Sequence, residues 1–144
     1  NALERLVQEN QELLCQAVLE DLGRPKEDSM LAELTVVIEE IHAARKNLAR
    51  WMRPRHKLMP LPLFPSRGEV TPQPYGIALI IGPWNYPLQL MLVPLAAALA
   101  AGNGVVLKHA NNVPQCALAI AQLFRDAGAP EGPGTRDRTA VRIQ

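Results

Sequence analysis

The stretch Ile77-Ala78-Leu79-Ile80-Ile81-Gly82-Pro83-Trp84-Asn85-Tyr86-Pro87 decides how the rest of the chain is read. Its first five residues are all apolar, a run suited to a strand buried on both faces and too short for a helix. Gly82-Pro83 stops that strand, because proline brings no N–H to a ladder and glycine brings no side chain to pack. Tyr86-Pro87 starts a helix, since the fixed φ of proline and its missing donor suit a first helical turn. Between the two, a tryptophan and an asparagine stand on a turn, unusual packing chemistry for a mere connector.

Toward the C-terminus, residues 88–101 are largely apolar and predict the helix that follows the strand. At 1.5 Å per residue those residues reach only about 21 Å, short of the roughly 30 Å of a hydrocarbon core. Pro94 interrupts them as well, so the expectation is a buried helix rather than a membrane span. A second short strand is predicted at residues 104–107 and a second helix at 113–127. Two apolar strands joined by a helix imply parallel neighbours covered on both faces, with a right-handed crossover. The expected fold class is α/β, the first half of a doubly wound, Rossmann-like parallel sheet, incomplete as a domain. Ligands of such sheets lie outside the carboxyl ends of the strands, where residues 81–85 and 108–111 fall.

Toward the N-terminus, Leu3, Leu6, Val7, Leu13, Leu14, Ala17 and Val18 recur at helical steps and predict one amphipathic helix over residues 3–22, stopped by Gly23 and Pro25. A second helix is expected to start with Asp28 or Ser29 as cap and to run to Trp51, with Arg45, Lys46, Arg50 and Arg53 at the negative end of its dipole. The two are expected to pack as an antiparallel pair. Six prolines between Arg53 and Pro74 exclude a regular helix there and predict an extended arm over a surface, with a short edge strand near residues 67–71. The chain thus divides into leading helices and proline-rich arm (1–75), the first part of a nucleotide-binding domain (76–132) and a polar tail without an apolar strand pattern (133–144).

A net charge of +1, from 15 basic and 14 acidic residues, gives no global pull toward nucleic acid or an anionic membrane. Cys15 and Cys116 fit neither a disulfide framework nor a metal site, which is the usage of a reducing, cytoplasmic compartment. The N-terminus has no apolar segment of the signal-peptide kind, and the missing initiator methionine reads as a fragment.

Three motifs carry a family resemblance over about residues 74–132: Pro83-Trp84-Asn85-Tyr86-Pro87, the turn Ala100-Ala101-Gly102-Asn103 leading to Val105-Val106-Leu107-Lys108, and Ala127-Gly128-Ala129-Pro130-Glu131-Gly132. Together they resemble the aldehyde dehydrogenase superfamily. The resemblance implies the N-terminal part of an enzyme that oxidises an aldehyde to a carboxylic acid with NAD or NADP, homo-oligomeric in its full-length form. It assigns Asn85 to the oxyanion of the thiohemiacetal, a role suited to an amide whose N–H donors stay neutral as charge develops. It also places Ile81, Gly82 and Pro83 close to the dinucleotide, Trp84 against the nicotinamide or aldehyde pocket, and Lys108 on the adenosine ribose. Asn111 stands where many members carry a glutamate, which leaves NAD against NADP open. Pro94 resembles the class containing fatty and aromatic aldehyde dehydrogenases, whereas residues 108–118 look more like succinate-semialdehyde dehydrogenases. The resemblance puts the cysteine nucleophile, the glycine-rich cofactor turn and the catalytic glutamate downstream of this chain.

Blander readings stand beside these. Asn85 also suits a turn or cap before Pro87, Trp84 a core position, and His109 packing rather than a base. Cys116, near a helix start, is the thiol whose pKa the dipole would lower. The alternative whole-chain reading is a non-catalytic truncated homologue that binds a full-length partner through an unpaired sheet edge and uncovered apolar faces.

Overall fold

A computed structural model describes residues 2–128 and 141–143 of the 144-residue chain. Helices α1 (Ala2–Glu9) and α2 (Gln11–Leu22) lead into α3 (Lys26–Ser29), a π-helical turn (Met30–Leu34) and α4 (Thr35–Trp51). A two-stranded arm follows, β1 (Arg55–Lys57) and β2 (Gly68–Val70), then β3 (Ile77–Ile81), α5 (Gln89–Ala100), β4 (Gly104–Lys108), α6 (Pro114–Asp126) and β5 (Val141–Ile143). Strands β3, β4 and β5 make a parallel sheet in that order, and β1 pairs antiparallel with β2. The α/β class and the parallel β3–α5–β4 unit agree with the sequence, β3 in both bounds and β4 to one residue.

The leading helices depart from expectation in three ways. The first helix is broken at Asn10, whose Nδ2 donates to the Leu6 carbonyl and so competes with the helical ladder. The second starts at Lys26 after Pro25, not at Asp28 or Ser29, and both acidic residues of its first turn suit the dipole there. It also carries the π turn, where the Thr35 N–H and hydroxyl both donate to the Met30 carbonyl. One extra residue in that turn lets the neighbours Glu33 and Leu34 both face inward. Gly23 does end α2 as expected, at φ 66°, the left-handed conformation that glycine adopts without strain.

These helices do not chiefly pack on each other, because each has a larger apolar partner in the sheet layer. Helix α4 lies on α5, and α2 lies on α6. One core results, in which Val7, Leu14 and Val18 join Leu34, Val37 and Ile41, and these meet Leu92, Leu95, Leu107 and Ile120. Truncating one such leucine to alanine costs about 2–5 kcal/mol.

Among the described residues the sheet is covered on one face only, where the sequence led to the expectation of two. Val105 and Leu107 point to the helices and are buried, with Ile80 packed against the same core. On the opposite face of β3, Ile77, Leu79 and Ile81 remain 68%, 62% and 71% exposed. Right-handed crossovers that advance across a sheet in one direction put successive helices on the same side, so α5 and α6 cover one face together. In the arm, β2 falls within the predicted edge strand, and its partner β1 was not foreseen. Of the stretch read from sequence as a polar tail, residues 141–143 form the third parallel strand beside β4, and residues 133–140 and 144 lie outside the described residues.

Candidate functional site

The carboxyl ends of β3 and β4 lie side by side, with Ile81 paired in register to Lys108 and the Gly82 N–H donating to the Lys108 carbonyl at 3.0 Å. This brings Ile81, Gly82 and Lys108 to one edge, as the sequence predicted. Gly82 is needed there for a reason the sequence did not show. A Cβ on it would come within 2.1 Å of Met91 Sδ, so the glycine makes room for a buried side chain of α5. Beyond it Pro83, Trp84 and Asn85 form an exposed turn, with Trp84 55% exposed rather than in the core. The Asn85 amide makes no hydrogen bond to the described residues, and its side chain caps nothing.

At the end of β4, Lys108 Nζ donates to the His109 carbonyl at 2.7 Å and to Asn111 Oδ1 at 2.9 Å. Lys108 and Asn111 are therefore a joined donor and acceptor at the sheet edge, a set that fits the two hydroxyls of a ribose. His109 packs inward, with neither ring nitrogen hydrogen-bonded to the described residues. Burial holds its pKa down to about 4, with the Asp21 carboxylate pulling up and Lys108 pushing down. A neutral, enclosed imidazole is not placed to act as a base on a ligand at this edge. Cys15 and Cys116 are buried too, and burial raises both thiols, so the position of Cys116 in the first turn of α6 does not activate it. Among the described residues no group of three or more His, Cys, Asp or Glu is placed to hold a metal, and no helix is long and apolar enough to cross a membrane.

Three residues that fix these loops were not singled out from the sequence. Helix α5 begins at an apolar residue, Leu88, with no side-chain cap of its own. Glu33, fully buried in the π turn, supplies the cap from another layer: its Oε2 accepts from Leu88 N at 2.8 Å and Gln89 N at 3.1 Å. Its Oε1 accepts from Arg24 Nη1 at 2.5 Å, and Arg24 Nη2 donates to the Asn85 carbonyl at 2.7 Å. The Arg24 guanidinium also lies 4.7 Å from the centre of the Tyr86 ring. Burial pushes the Glu33 carboxyl above its usual range, while the Gln89 and Leu88 N–H groups and Arg24 pull it back. Helix α6 is served in the same manner by Asp21, whose two oxygens accept from Gln115 N at 3.1 Å and Cys116 N at 2.8 Å. Glu33 had one visible signal, an acid in step with Met30 and Val37 on the apolar side of its helix. Arg24 and Asp21 carried none, since their partners lie 61 and about 95 residues away in sequence.

Comparison with known proteins gives a consistent set of likenesses. The sequence profile of the aldehyde dehydrogenase family matches residues 1–133. Aldehyde dehydrogenase family 3 member F1 of Arabidopsis thaliana is 36% identical over 142 residues, covering 99% of this chain and 28% of that protein. The substrate-bound AldH of Staphylococcus aureus superposes with a TM-score of 0.86 at 30% identity, over 99% of this chain and 30% of that one. The NADP-dependent glyceraldehyde-3-phosphate dehydrogenase of Bacillus halodurans, complexed with NADP, superposes at 0.77 with 25% identity, over 99% of this chain and 29% of that one. This chain thus spans under a third of the length of these relatives.

Proposed function

We propose that this chain, which belongs to the aldehyde dehydrogenase family, is the N-terminal part of an NAD(P)-dependent enzyme oxidising an aldehyde to a carboxylic acid. The observation that carries the reading is the unpartnered, exposed amide of Asn85 on a loop fixed at the carboxyl edge of the sheet. Asn85 donates its Nδ2 hydrogens to the aldehyde oxygen as negative charge develops on it, a stabilisation that needs no proton transfer. Lys108 and Asn111 hold the ribose of the cofactor, and the backbone at Ile81, Gly82 and Pro83 lies along it with Trp84 beside the nicotinamide or aldehyde. Bound NAD or NADP supplies the hydride acceptor. Two unpaired buried thiols fit a reducing, cytoplasmic setting.

The test is NAD(P)-coupled aldehyde oxidation by the full-length polypeptide that carries this segment. Asn85→Ala is expected to lower kcat by about 10²–10³-fold, the usual effect of losing one oxyanion donor, with cofactor affinity little changed. An unchanged kcat overturns the role of Asn85. The isolated 144-residue chain is expected to show no turnover.

The second reading, a truncated homologue acting by binding a full-length partner, is favoured by one feature, the exposed face of Ile77, Leu79 and Ile81. A discrete heteromer of chain and partner supports it, and polydisperse self-association opposes it.

A further inference from the structure

We infer that Arg24 and Glu33 are positioning residues for the reaction, an ion-paired clamp that fixes the backbone of the Asn85 loop and leaves the Asn85 amide free for the substrate oxygen. The inference rests on the reading of Asn85 as the oxyanion donor and extends it to two residues from the leading helices.

Four of the five residues from 85 to 89 are held by this one ion pair. Arg24 takes the carbonyl of Asn85 and stacks on the ring of Tyr86, while Glu33 takes the N–H groups of Leu88 and Gln89. Every one of these contacts is to backbone or to the ring, and none is to the Asn85 side chain. The Glu33 side chain is 0% and the Arg24 side chain 22% exposed, so the bonds made by Glu33 are charge-assisted and little screened, whereas the bond from Arg24 to the Asn85 carbonyl faces solvent. Arginine is the side chain for the task. Its planar fork places one N–H on a carboxylate and another on a carbonyl at once, where a lysine presents a single point charge. The π turn brings Glu33 inward beside Leu34, and the left-handed Gly23 with Pro25 sets the direction in which Arg24 leaves α2. An oxyanion donor acts only when its N–H lies within hydrogen-bond reach of the developing charge, and a misplacement of about 1 Å costs up to 10²-fold in rate. The clamp therefore acts on turnover through Asn85 rather than by touching substrate.

The experiment is a kinetic double-mutant cycle in the full-length polypeptide, with Arg24→Lys, Glu33→Gln and Asn85→Ala, each normalised to folded protein by thermal denaturation. Arg24→Lys keeps a cation beside Glu33 and tests the fork without emptying the site. Arg24→Lys is expected to lower kcat about 10- to 100-fold with KM for aldehyde and for cofactor within about threefold. In the Asn85→Ala background the same substitution is expected to cost less than about twofold, because the group it positions is gone. Multiplicative losses, or a loss confined to KM, overturn the inference and leave Arg24 a structural residue. An intact kcat for Arg24→Lys and Glu33→Gln, with Asn85→Ala defective, overturns the clamp and spares the oxyanion reading. An intact kcat for Asn85→Ala sinks both.

Discussion

Helices α5 and α6 each follow a strand of the parallel sheet, and each starts on an apolar residue, Leu88 or Val113, that has no oxygen to cap its free N–H groups. In both, a carboxylate from the leading helices reaches across and accepts two first-turn N–H groups. The two differ in what stands behind the carboxylate. Glu33 is sealed and ion-paired to Arg24, and the pair goes on to grip the loop of Asn85. Asp21 is half-buried, no ion pair reaches it among the described residues, and its loop is held instead by Lys108 bonded to Asn111. A borrowed cap explains why helices outside the β3–α5–β4 unit are part of the same folded core. A charged clamp behind one cap, and not the other, marks the loop that the role proposed for Asn85 requires to be held within about an ångström.

The largest effect is expected from removing the sealed carboxylate. Glu33→Ala leaves Arg24 without its counter-charge and two N–H groups of α5 without acceptors, at a cost of about 3–5 kcal/mol in urea unfolding of the chain. If the loss is no greater than that of the corresponding change at Asp21, the two caps are equivalent and the ion pair behind Glu33 adds nothing.

Acid sharpens the contrast, because a titratable group buried without a hydrogen bond among the described residues lies beside the second cap. His109 has a pKa near 4 in the folded chain against an ordinary 6.5, so below 6.5 the unfolded chain takes up a proton that the folded chain refuses. Stability from this group is complete above pH 6.5, falls as pH drops toward 4 and is flat below, a loss of about 3 kcal/mol. Glu33 acts in the opposite sense, since its raised carboxyl pKa favours the folded chain as pH falls. The measurement is therefore the difference between the wild-type chain and His109→Gln in unfolding free energy across pH 7 to 4. A slope as steep in the variant as in the wild type would remove His109 from the account.

The sheet was legible and the caps were not, for reasons that differ in kind. Strands β3 and β4 were readable because short apolar runs between Gly and Pro leave few alternatives, and the edge residues Ile81, Gly82 and Lys108 followed from strand order alone. The start of the second leading helix was misread because Asp28 and Ser29 look like caps. Pro25 had already set the backbone for Lys26, with Ser29 buried inside the helix instead. No local pattern announces a π turn, and none announces that a carboxylate will cap a helix 55 residues away. Strand β1 was hidden for another reason: Arg55, His56 and Lys57 are all exposed, so no alternation of apolar and polar residues marks it.

The smallest expected effect tests whether the second cap stands alone. Asp21→Ala removes the acceptor for Gln115 N and Cys116 N, but the Gln115 contact is exposed where the Leu88 contact of Glu33 is buried, and no buried cation is left behind. The cost should match an ordinary N-cap, about 1–2 kcal/mol, and Asp21→Asn should recover part of it because an amide oxygen still accepts. Asp21 also raises the pKa of the buried imidazole, so its removal lowers the His109 value further and extends the acid loss to lower pH. An Asp21→Asn chain as unstable as Asp21→Ala would mean that the negative charge, and not an oxygen acceptor, holds the start of α6.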